Sequence, residues 1–110
     1  MKFTADFATC EDGQDKVLSV CQCGPDGDLE HEVIIQRGPK EFDPFDDHPG
    51  PKISYDQLGL DAAPGPQAIT FTGDVMKIVL ADCEDLEVDL SRLSPRERKQ
   101  LESVAAAIFR

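Results

Sequence analysis

Tryptophan is absent from this chain of 110 residues, tyrosine occurs once, and aromatic residues make up only 6%. Histidine occurs twice, and 11 basic residues stand against 22 acids. The shortage of cations has the sharper consequence. At a formal net charge of −11 the chain repels phosphate backbones and anionic lipid, so neither nucleic acid nor membrane is expected as a partner. No basic stripe interleaved with aromatics is present. No apolar run approaches the roughly 20 residues that span a bilayer. The opening residues MKFTADFATCEDG lack the apolar centre of a signal peptide, so the expected compartment is the cytoplasm.

Motifs that carry chemistry are scarce as well. The stretch GPDGD (24–28) has glycines but neither the lysine nor the strand–loop–helix setting of a phosphate loop. In EFDPFDDHPG the acids at 41, 43, 46 and 47 lack the alternate-residue spacing and central glycine of a calcium loop. The four cysteines are Cys10, Cys21, Cys23 and Cys83, and a cytoplasmic setting argues for free thiols. Cys21 and Cys23 flank one residue of an expected strand and so share a face. Completed by His31, they would make a small zinc- or thiol-dependent enzyme or ligand site, the one catalytic alternative here. Strong zinc signatures hold two well-spaced ligand pairs, and this chain has one. His31 alternates with Leu29, Val33 and Ile35 and reads as a structural histidine. No catalytic residue, cofactor or metal is expected.

What the chain has is short alternating segments. Strands are expected at about 2–9, 16–23, 29–37, 52–55, 67–72, 75–80 and 86–90. Gly73-Asp74 separates two of them with glycine first, as a type II′ hairpin requires. Residues 38–66 read as a long loop rich in proline and acid, interrupted only by KISY. Prolines at 39, 44, 49 and 51 rule out an interior strand or a helix there. A helix is expected at about 95–109. Ser94 and Glu97 have the spacing of a capping box, Pro95 suits the first helical position, and Leu101, Val104, Ala105 and Ile108 form an apolar stripe. The expected fold is a single α+β domain over 1–110: an antiparallel sheet of five to seven strands with one C-terminal helix packed on one face.

Charge is unevenly placed. Residues 1–91 hold 20 of the 22 acids and six of the 11 bases, a net of −14, whereas 92–110 carry +3. Arg96, Arg98 and Lys99 crowd the helix start, the end of the dipole that favours anions. They are expected to pair with acids around the last strand: Asp82, Glu84, Asp85, Glu87 and Asp89. An acidic body suits a basic protein partner. Phe42 and Phe45, interleaved with Asp43, Asp46 and Asp47, make the best candidate contact surface, since aromatic anchors ringed by charge build steered interfaces. Asp82, Glu84 and Asp85 come second. Unpaired edge strands would also permit a homodimer.

From EVIIQRG (32–38), through ISYDQLG (53–59) and GPQAITFTGDVMKIVLA (65–81), to LEVDLSRLSPRERKQLESVAAAIF (86–109), the chain resembles the immunity-protein-10 family of bacterial polymorphic toxin systems. These are small α+β proteins encoded beside a toxin gene, and they protect the producing cell by binding the toxin. The resemblance implies a non-catalytic inhibitor whose partner is a cognate protein toxin. It carries over no catalytic residue.

Overall fold

The computed structural model describes residues 1–38, 50–81 and 84–109. Among them are nine strands, one turn of 3-10 helix and one α-helix. In order they are β1 (Lys2–Thr4), β2 (Phe7–Asp12), β3 (Lys16–Cys23), β4 (Leu29–Arg37), β5 (Lys52–Tyr55), the 3-10 turn (Asp56–Leu58), β6 (Leu60–Pro64), β7 (Pro66–Thr72), β8 (Val75–Leu80), β9 (Leu86–Asp89) and α1 (Pro95–Ile108). The class is α+β. The strands form two sheets rather than the expected one: four strands ordered β1-β9-β8-β7 and five ordered β2-β3-β4-β5-β6. Pairing is antiparallel except between β1 and β9, which run parallel.

The expected first strand, 2–9, is split by a change of sheet. Ala5 N–H donates to Asp89 O at 2.9 Å, and the next residue, Asp6, donates to Cys21 O at 2.7 Å. The imperfect period around Phe3 and Phe7 has this cause. Phe3 is buried in the four-stranded sheet, while Phe7, on the five-stranded one, is 39% exposed. Asp6 anchors the crossing, because its carboxylate accepts from Cys23 N and from Arg92 Nη1, each at 2.8 Å. Those bonds, the amide first, hold its carboxyl below the usual range.

The expected loop 38–66 holds more structure than its composition suggests. Gly59, left-handed at φ 68°, closes the 3-10 turn, and LDAAP then pairs with β5 as an edge strand. Edge position is what makes its Pro64 tolerable. Gly65, at φ 135°, returns the chain to the four-stranded sheet, where β7 begins at once.

One core joins the two sheets and the helix. Leu18, Val20, Val33, Ile35, Ile53 and Tyr55 come from the five-stranded sheet; Phe3, Met76, Ile78, Leu86 and Val88 come from the other. Helix α1 lies over β2 and β3 and contributes Leu101, Val104, Ala105 and Ile108. Full burial of such a side chain stabilises by about 1.5–3 kcal/mol. The capping box forms as expected, with Ser94 Oγ accepting from Glu97 N and Glu97 Oε1 from Ser94 N. At the far end Arg37 Nη1 donates to Ile108 O at 2.7 Å, a cation where the dipole favours one.

Among the described residues no ion pair joins the basic cluster to the last strand. Arg98 reaches Asp74 Oδ1 at 2.7 Å and Gly73 O at 2.6 Å, at the β7–β8 turn. Strand β9 and its approach find other cations: Glu87 pairs with Lys2 at 3.1 Å and Asp85 with Lys77 at 3.5 Å. Asp89 accepts instead from Ser91 N at 2.8 Å. The reason is geometric. α1 sits over the five-stranded sheet, and its first turn faces the hairpin tip rather than the outer side of β9.

Candidate functional site

Strands β4 and β5 pair only from Ile34 opposite Ser54 to Gln36 opposite Lys52. Beyond Ser54 the chain turns into the 3-10 helix, which Gln57 ties back by donating to Glu30 O at 3.0 Å. The strands part there and leave a groove of about 280 Å³. Glu30, Glu32 and Asp56 are among its lining residues, with Leu29 and Ile34 as apolar wall. The Glu32 carboxylate is engaged by Cys21 Sγ on β3, and that of Glu30 lies against Gly24. Among the described residues no lysine or arginine lines it.

His31 also borders the groove but is committed to the core. Its ring stacks on Phe3, with centroids 4.9 Å apart and planes within 5°. Its Nδ1 lies 2.8 Å from Tyr55 Oη, which is also 3.1 Å from Met1 Sδ. Burial pushes the Tyr55 hydroxyl up, so it stays a neutral hydrogen-bonding group.

The proposed Cys21, Cys23 and His31 site is not assembled. Cys21 lies opposite Glu32 and His31 opposite Gln22, so Cys21 and His31 project from opposite faces of the sheet. Cys21 Sγ donates to Glu32 Oε2 at 3.6 Å. Burial first, with Glu32's negative charge adding, pushes the Cys21 thiol up, and burial does the same to Cys10. A nucleophilic cysteine needs the reverse. Among the described residues no group of His, Cys, Asp and Glu is arranged to hold a metal ion, and no helix is long and apolar enough to cross a membrane.

Of the acids and aromatics singled out for partner contact, Phe42, Asp43, Phe45, Asp46, Asp47 and Asp82 lie outside the described residues. Glu84 and Asp85 are described and are partly engaged within the chain. Glu84 Oε1 is 3.0 Å from the Met1 ammonium. Asp85 serves Lys77 and also accepts from Leu80 N at 3.4 Å. The groove carboxylates were not singled out, because Glu30 and Glu32 read as the ordinary solvent side of a strand and Asp56 as loop. Their one signal is the absence of any base between 17 and 36.

No protein-family model matches the chain, and no curated protein matches it significantly.

Proposed function

We propose that this chain is a toxin-neutralising immunity protein that acts in the cytoplasm by binding a protein with a basic surface and covering it, without catalysis. The observation that carries the reading is the excess of acid over base, 22 against 11. A body of net charge −11 has a groove lined by Glu30, Glu32 and Asp56 and, among the described residues, by no lysine or arginine. Such a surface steers a cationic protein in and accelerates its association. The raised thiols of Cys10 and Cys21 fit a chain whose work is contact rather than bond making. The resemblance to immunity-protein-10 sequences supplies the class of partner. Phe42, Asp43, Phe45, Asp46 and Asp47 are the first contact residues in this reading. Asp82, Glu84 and Asp85 are second.

The test is co-expression with the product of the adjacent gene, followed by co-purification and association kinetics across a salt series. The expected result is a stable complex whose on-rate falls steeply with salt. Asp43→Lys, Asp46→Lys and Asp47→Lys together should lower that on-rate about tenfold or more. If the products do not associate, or associate at a rate indifferent to salt and to these changes, the reading fails.

A further inference from the structure

Each sheet has two edge strands, and three of the four carry features that block pairing with another chain. At β1 the outward amide of Thr4 donates to Gln22 Oε1 at 3.3 Å. At β2 the outward amide of Ala8 donates to Glu97 Oε2 at 2.9 Å, and Glu11 and Asp12 put charge along the rest. At β6 Asp61 is charged, Ala62 turns left-handed at φ 46°, and Pro64 has no N–H to offer. Natural sheets use such features to keep edges from joining.

Strand β7 is the exception. Its sequence, PQAITFT, carries no charge in a chain of which 30% is charged. Its proline stands at the first residue, where the chain has just crossed between sheets. Among the described residues it pairs with β8 alone.

The neighbouring strands show which backbone groups β7 presents. Leu90 N–H donates to Asp74 O at 2.6 Å, so even-numbered residues of β8 bond toward β9 and odd-numbered ones toward β7. Thr72 and Thr70 lie opposite Val75 and Lys77 and use their backbone groups there. Ile69 and Phe71 alternate with them, so their N–H and C=O groups point to the open side. Their side chains lie half-buried on the core face, opposite Ile78 and Met76.

We propose that β7 pairs with β7 of a second copy of this chain, antiparallel about a two-fold axis at Thr70, so that two four-stranded sheets become one continuous sheet. In this register Ile69 exchanges both backbone hydrogen bonds with Phe71 of the second copy, and Phe71 does so with its Ile69. On the core face an isoleucine and an aromatic ring become cross-strand neighbours, a favourable pair. On the outer face the two Thr70 side chains meet.

Self-complementarity points to a second copy as the occupant, and the charge pattern of β7 permits it. Two bodies of −11 repel, and can touch only along a strip that brings no like charges together. β7 is such a strip. The nearest charges on its hairpin are already compensated, Asp74 by Arg98 at 2.7 Å and Lys77 by Asp85 at 3.5 Å. A foreign basic strand would find no carboxylate on β7 to recognise. Identical antiparallel strands also form a self-complementary contact that closes at two copies.

Sedimentation velocity over a range of concentrations tests this, using the wild type, Thr70→Lys, Thr70→Glu and an equal mixture of the two variants. Thr70 is exposed, so both variants should keep the fold, which thermal melting checks. The wild type is expected to dimerise with concentration. Each variant places like charges at the axis and should raise the dissociation constant about tenfold or more. The mixture should recover the dimer, because Lys then meets Glu. A wild type that stays monomeric throughout, a dimer untouched by Thr70→Lys, or a mixture that does not recover overturns the proposal.

Discussion

Glu97 Oε2 accepts a hydrogen bond at 2.9 Å from the amide of Ala8, across 89 residues of sequence. The other oxygen of the same carboxylate accepts from Ser94 N at 3.0 Å, within the capping box. One side chain therefore caps the start of α1 and closes the edge of β2. These bonds, Ser94 first and Ala8 second, hold the carboxyl below the ordinary glutamate value.

A depressed folded pKa stabilises the protein above the ordinary glutamate value, and the contribution is lost as pH falls through the lowered value. Asp6 and Asp89 are shifted the same way by backbone amides, of Cys23 and Ser91 respectively. Chemical denaturation at a series of pH values should show stability falling on the acid side. In Glu97→Gln that acid limb should be shallower. An identical limb in the variant would mean that Glu97 is not one of the groups titrating.

Ser94→Ala removes the other half of the capping box and should cost about 1 kcal/mol at neutral pH, read from the denaturation midpoint. An unchanged midpoint would show that Glu97 alone holds the helix start.

Leu101 is completely buried between α1 and the sheet beneath it. Leu101→Ala should destabilise by about 2–5 kcal/mol, the range for emptying a packed site. A cost below about 1 kcal/mol, at the surface scale, would mean that α1 is not packed where the structure has it.

Gly65 stands at φ 135° with open space where a Cβ would be. Gly65→Ala should therefore destabilise through backbone strain alone, by about 1–3 kcal/mol, with no steric clash to relieve. If thermal melting shows no loss, the crossing from β6 to β7 tolerates another conformation.

Cys21 is buried and Cys10 half-buried, and thiols kept protonated react slowly. A thiol-reactive disulfide reagent at neutral pH should leave Cys10 and Cys21 largely unmodified until denaturant is added. Cys21→Ala should accordingly leave the native-state reaction unchanged. Prompt loss of one equivalent in that variant would show that Cys21 is accessible.

The legible parts of this fold are the local ones. The Gly73-Asp74 hairpin, the alternation in β8 and β9, and the Ser94–Glu97 cap all depend on residues within a few positions of one another. The division into two sheets does not. Nothing in KFTADFAT says that Ala5 and Asp6 donate to different sheets, because their acceptors are Asp89 and Cys21. β6 is hidden for another reason: Asp, Ala and Pro are poor strand formers, and only the neighbouring β5 makes a strand of them. The groove escapes for a third. Glu30, Glu32 and Asp56 are unremarkable singly, and the shortness of the β4–β5 pairing brings them together. The partners of Arg98 follow from where α1 lands, which is a packing outcome.

The parallel pairing of β1 with β9 joins Phe3 to Val88, 85 residues along the chain. Closing so long a stretch costs entropy before any contact rewards it. Strand β1 thus has no sheet neighbour until β9, more than 80 residues along, is in place. Until then Phe3 is exposed to water, and His31 lacks the ring it stacks on.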